Sequence, residues 1–281
     1  MDSKLFHNSQ WYEFSFKKPI SREDPNLLKD VIGDYQLKIN SLGFKSDEFT
    51  KDHIGQHLLF AGCSVTYADG IPLQYSWSKL LYDYLNKQEK ASGYFNIAGP
   101  GMTIVEIVMQ IFIYIAEYGK PDKIFVFFPD IGREKLVMDT QANASRYKRN
   151  FSQPAKPTKN LSGIWAHNAM KSLVTMCKLS GIDLYISSWS NNLSYSDFQS
   201  DLALFGNPYE NIGTELAGSE VDEDDFLFAS KESNKILKKH PEYKDLIKES
   251  HDGTHPGILP NLVYFSWFKK EIIRRQDEAI V

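Results

Sequence analysis

Residues 58–70 read LLFAGCSVTYADG. An apolar run stops at Gly62, and the small residues Cys63 and Ser64 follow at once. Three readings meet this pattern: a turn that only redirects the chain, a loop that cradles a phosphate, or a strand tip that presents a nucleophile. The surrounding rhythm favours a strand. HLLFAG (57–62), YFNIAG (94–99), DKIFVFF (122–128) and IDLYISSW (182–189) are short apolar runs, as expected of strands buried on both faces. Between them lie stretches with apolar residues at helical spacing: 73–87, 102–118 and 163–181, the last stopped by Gly181. Two more helices are expected, near 231–249 and over 258–276. Strands alternating with helices predict an α/β fold, a three-layer α/β/α sandwich around a flavodoxin-like parallel sheet. Residues 1–54 read as an N-terminal extension lying on this core, with a short alternating strand in DYQLKINSLGF, and 55–281 as the α/β domain. Residues 130–160 and 190–230 read as long loops.

In such sheets the reactive groups gather beyond the carboxyl ends of the strands. The search therefore narrows to residues 62–66, 96–103, 129–133 and 187–192. The phosphate cradle fails on chemistry, because the stretch lacks the lysine of a Walker loop and the Gly-x-Gly-x-x-Gly fingerprint. Gly99-Pro100-Gly101 only echoes that fingerprint, and Pro100 has no amide to offer. A serine nucleophile needs an imidazole to take its proton and a carboxylate to hold that imidazole. Of the seven histidines, His57 sits at the wrong end of the first strand, His7 and His53 lie in the extension, and His167 and His240 lie on helices. SHDGTHPG (250–257) offers Asp252 three residues before His255, in a loop ahead of the last helix. Ser64 could otherwise cap the following helix. Cys63 could supply a thiol instead, but neighbours along a strand face opposite ways, so one of the pair points to the core.

Taken together, FAGCSVT (60–66), NIAGPGMT (96–103) and DGTHPG (252–257) resemble, in order and spacing, the SGNH (GDSL-like) hydrolase superfamily over roughly residues 55–270. The resemblance implies a serine esterase with Ser64 as nucleophile, His255 as general base and Asp252 orienting it. It also implies an oxyanion hole built from the amides of Ser64 and Gly101. The family's third block carries an asparagine that is missing from FFPDIGRE (127–134); Arg133, Asn191 and Trp189 are the candidates for oxyanion or substrate contacts in its place. The implied substrate is a small-molecule or carbohydrate ester, with O-acetyl groups on carbohydrate as one class. An inactive carbohydrate-binding or structural relative and an acyltransferase are the competing readings. No cofactor and no metal is expected.

Composition sets the remaining expectations. The formal net charge of -4, with Lys and Arg spread along the chain, argues against nucleic-acid binding. The acidic cluster EVDEDD (220–225) reads as a solvated loop. Two cysteines in 281 residues fit a reducing compartment rather than a disulfide framework. The N-terminus lacks the apolar core of a signal peptide, and the stretch 102–119 is interrupted by Glu106 and Gln110. A cytoplasmic or virion-associated protein without a membrane span is expected.

Overall fold

The computed structural model describes residues 39–89, 91–129, 161–188, 223–250 and 255–278. The elements, in chain order, are β1 (Leu58–Gly62), α1 (Ser64–Tyr67), a 3₁₀ turn (Leu73–Tyr75) and α2 (Trp77–Glu89). β2 (Phe95–Asn96), α3 (Ile104–Tyr118), β3 (Lys123–Phe128), α4 (Leu161–Ser180) and β4 (Asp183–Ser188) follow. The chain continues through α5 (Glu223–Lys239), a 3₁₀ segment (Pro241–Leu246) and α6 (Ile258–Glu278).

The four strands are all parallel and lie in the order β2-β1-β3-β4. The chain thus steps one way from β1 to β2 and the other way from β2 to β3 to β4. Crossovers between parallel strands share one hand, so a reversal of direction must put the connecting helices on opposite faces. The core divides in that way. Leu59, Ala61, Ile124, Val126, Leu184 and Ile186 pack against α3 and α4. Their neighbours Leu58, Phe60, Phe125, Phe127 and Tyr185 pack against α2 and α6. The period-two alternation of these apolar strands therefore feeds two separate cores, which is why no polar face shows in their sequence. The result is a doubly wound three-layer α/β protein, as the sequence predicts.

Local chemistry sets the helix starts. α3 opens with a capping box: the Glu106 amide donates to Thr103 Oγ1 at 3.2 Å, and the Thr103 amide donates to Glu106 Oε2 at 2.9 Å. Ser76 caps α2, its Oγ accepting from the Lys79 amide at 3.2 Å. Three expectations are corrected. The helix expected near 231–249 begins at Glu223 and ends at Lys239, with Pro241 opening a 3₁₀ segment instead; proline withholds the amide that would continue the α-helix. Within the acidic cluster, Glu223, Asp224 and Asp225 form the first turn of α5 rather than a loop, where the helix dipole favours negative charge. Asp225 is buried, accepting from Ser266 Oγ at 2.6 Å and pairing with Lys270 Nζ at 2.9 Å. Residues 39–44 form a turn rather than a strand, because Asn40 Oδ1 accepts the amides of Leu42 and Phe44 and curls the backbone.

Residues 44–47 run along the outer edge of β2. The Asp47 amide donates to the Tyr94 carbonyl at 3.0 Å, the Tyr94 amide to Asp47 Oδ2 at 2.9 Å, and the Asn96 amide to Ser46 Oγ at 3.1 Å. This segment satisfies an edge that would otherwise offer free donors and acceptors to another chain. Phe44 inserts fully into the α3/α4 core. Among the described residues, no helix is long and apolar enough to cross a membrane.

Candidate active site

The reversal of strand order falls at β1 and β3. β1 leads to α2 on one face of the sheet and β3 to α4 on the other, and in open α/β sheets ligands bind at such a reversal. Ser64 lies at this point. β1 ends at Gly62, paired with Phe127 of β3, and the chain bends at once into the single turn of α1. A side chain at position 62 would strike Thr66 Oγ1 at 2.1 Å and the Phe127 carbonyl oxygen at 2.8 Å, so the sharp bend needs glycine. Cys63 is the N-cap of α1 and makes no side-chain cap bond. Ser64 is the first helical residue, so it does not act as the cap. Cys63 packs into the α2/α6 core as a free buried thiol. Ser64 is 2% exposed, its Oγ a long 4.0 Å from Cys63 Sγ.

The end of β2 lies alongside. Its ladder continues past the strand, the Ile97 amide donating to the Phe60 carbonyl at 2.9 Å and the Gly99 amide to the Gly62 carbonyl at 3.3 Å. Gly101, two residues on, is exposed and has φ +73°, a left-handed conformation that suits glycine. The loop bearing Gly101 therefore stands beside the Ser64 turn.

α6 points its N-terminal end toward the carboxyl ends of the strands. The helix runs antiparallel to the strands. Tyr264 packs on Phe127 (4.8 Å between ring centroids), Phe268 on Phe125 (6.1 Å), and Arg275 reaches back to the Leu184 carbonyl at 2.9 Å. The start of α6 thus projects past the strand tips, and His255 precedes it. Two hydrogen bonds join Ser250 and His255, the Ser250 amide donating to the His255 carbonyl at 2.9 Å and the His255 amide to Ser250 Oγ at 3.2 Å. The His255 side chain is half-buried. Asn261, 1% exposed, ties the chain after His255 to the start of α2. Its Nδ2 donates to the Gly257 carbonyl at 2.8 Å, while its Oδ1 accepts the Trp77 amide at 3.1 Å. Tyr75, just before α2, packs edge-on against Tyr243 at 5.6 Å, ahead of the His255 loop.

Beneath this edge, on the α2/α6 side, Trp77 Nε1, Ser187 Oγ and Tyr264 OH are buried without hydrogen-bond partners among the described residues. Burial holds the Tyr264 hydroxyl above the usual tyrosine range, and the Cys63 thiol adds to the effect. Among the described residues, no group of three or more His, Cys, Asp or Glu side chains could hold a metal ion.

Of the residues singled out in the sequence, Ser64, Gly101 and His255 are described: Ser64 directly follows β1, Gly101 lies in the loop after β2, and His255 lies just ahead of α6. Asp252, Arg133, Trp189 and Asn191 lie outside the described residues, as do 130–160 and 189–222. Two residues that build the site were missed. Asn96 donates from Nδ2 to the Thr66 carbonyl at 3.0 Å and accepts the Ala98 amide on Oδ1 at 3.0 Å, joining the tips of β1 and β2. Its signal was a lone amide side chain ending an apolar strand. Asn261 had none, because it reads as an ordinary polar residue of a helix.

No family model and no curated protein matches the sequence. Among solved structures, the chain is similar to the psychrotrophic esterase EstA from Pseudoalteromonas sp., at 14% identity over 78% of this chain and 98% of that one, with a TM-score of 0.44. It is also similar to TesA, at 15% identity over 75% of this chain and 96% of that one, with a TM-score of 0.38.

Proposed function

We propose that this protein is a serine esterase of the SGNH kind, with Ser64 as nucleophile, His255 as general base and Asp252 orienting the imidazole. The observation that supports the reading is the position of Ser64 directly after β1, where the strand order reverses, with His255 just ahead of α6, a helix that runs antiparallel to the strands. In this reaction Ser64 Oγ bonds to the ester carbonyl carbon as His255 Nε2 takes the hydroxyl proton. The amides of Ser64 and Gly101 receive the negative charge that develops on the carbonyl oxygen. The carbon–oxygen bond to the alcohol then breaks, and His255 returns its proton to the leaving alkoxide. Water repeats the sequence on the acyl-serine, releasing the acid and restoring the serine. Every proton is returned, so the cycle balances without a cofactor.

The substrate is a small ester, and O-acetylated carbohydrates head the panel to be tested. A fluorophosphonate probe tests the chemistry directly. The wild type is expected to become covalently labelled, with labelling abolished in Ser64→Ala and slowed by about 10³-fold or more in His255→Ala. Labelling that persists in Ser64→Ala, or a folded wild type that never labels between pH 6 and about 9, contradicts the proposal.

A further inference from the structure

The one-turn helix α1 is held from behind by side chains of three other segments. A helix leaves its last carbonyls without internal partners, and a single turn has too few bonds of its own to stay formed. Here the Thr66 carbonyl accepts from Asn96 Nδ2 at 3.0 Å and from Ser78 Oγ at 3.3 Å. The next link is Ala68, at φ +62° and ψ +49°, the one non-glycine residue with positive φ among the described residues. A side-chain-bearing residue held there costs energy that its surroundings must supply. Its carbonyl accepts from Lys45 Nζ at 2.8 Å. That ammonium lies 4.7 Å from the centre of the Tyr67 ring, and the lysine is only 1% exposed.

Burying a lysine this deeply is costly unless its charge is answered by specific groups, so its placement under this turn calls for an explanation. The left-handed Ala68 lets the Asp69 amide turn back and donate to the Ser64 carbonyl at 3.0 Å, while the Ala68 amide donates to the Val65 carbonyl at 3.3 Å. These bonds fix the peptide of Ser64. We infer that Lys45 is a positioning residue for Ser64: reaching in from the segment before β1, it clamps the Ala68 carbonyl and so locks the backbone that presents the nucleophile. Residues 39–50 are then part of the reacting unit rather than an appendage. The inference rests on Ser64 being the nucleophile, as proposed above.

Lys45→Met keeps the stem and removes the ammonium. In the full-length chain, it is expected to slow fluorophosphonate labelling of Ser64 and to lower kcat on an ester by about 30–100-fold, with KM changed less than about threefold. Amide hydrogen exchange in peptide 63–70 is expected to speed up more than about tenfold, while peptide 123–128 in β3 keeps its protection. Ala68→Gly in the Lys45→Met background is expected to restore labelling to within about threefold of wild type, because glycine takes the left-handed conformation unaided. A general loss of packing would not be repaired by that change. Should Lys45→Met not fold, Lys45→Gln carries the same measurements. A folded variant with wild-type exchange in 63–70 and a wild-type labelling rate overturns the inference. If the wild type itself does not label, the hydrolase reading falls and takes the catalytic role of Lys45 with it, while the exchange of peptide 63–70 separately decides whether Lys45 locks the turn.

Discussion

At position 62 a single added carbon would meet Thr66 Oγ1 at 2.1 Å and the Phe127 carbonyl oxygen at 2.8 Å. The second obstacle is backbone of the central sheet and cannot swing aside. Gly62→Ala is therefore expected to lower the unfolding free energy by about 3 kcal/mol, read as a shift of the urea midpoint without a change of slope. A midpoint within error of wild type would contradict the tight bend. This glycine, and Ser64 two residues after it, could be found in the sequence because an apolar run that stops at small residues is a local signal. Lys45 and Asn261 could not. Lysine in a polar stretch reads as surface, and only the folded chain shows Lys45 reaching 23 residues along the sequence to the Ala68 carbonyl. The partners of Asn261 are set by the approach of α2 to α6.

Among elements, the legible ones are those whose pattern is long. α3, α4 and α6 fall within a few residues of their expected spans, each with enough turns for the apolar period to show. β2 itself spans only Phe95–Asn96, although its bonding to β1 continues through the Ile97 and Gly99 amides. The start of α5 escaped prediction because Glu223, Asp224 and Asp225 read as a solvated run, while Ser266 and Lys270 on α6 give Asp225 its buried partners. At the opposite edge of the sheet, the start of β1 meets α3 through an unusual pair. His53 and His57 stack with ring centroids 3.5 Å apart, and His57 Nε2 lies 2.8 Å from Tyr114 OH. Tyr118, Phe95, Lys120 and Asp122 are the other neighbours of the pair. Burial, reinforced by His53, pushes the His57 imidazole down from 6.5 to about 4. In the unfolded chain the same ring takes up its proton near 6.5, so the unfolded state binds more protons between these values. This contribution is complete above about pH 6.5 and is lost as the pH falls toward 4, by about 1–3 kcal/mol. Urea unfolding of the wild type and of His57→Gln across that range should show a steeper acid loss in the wild type. Parallel curves would contradict it.

On the scale of the molecule, one feature of the chain path organises the rest. Because β2 and β3 lie on opposite sides of β1, the helices divide between two faces of the sheet. The class of fold was legible, since strands apolar on both sides interleaved with helices admit few arrangements. The proposed pairing of Ser64 with His255 was legible only as an order of motifs along the chain. It requires α6 to lie antiparallel to the sheet, an orientation set by rings such as Tyr264 on Phe127 and Phe268 on Phe125. The most direct test of the central claim is a crystal structure of the protein after reaction with a fluorophosphonate. The account predicts phosphorus bonded to Ser64 Oγ, a phosphoryl oxygen within about 3.2 Å of the Ser64 and Gly101 amides, and the His255 imidazole within about 3.2 Å of Oγ. An adduct on another residue, or an imidazole turned away from Ser64 with the adduct in place, would contradict it.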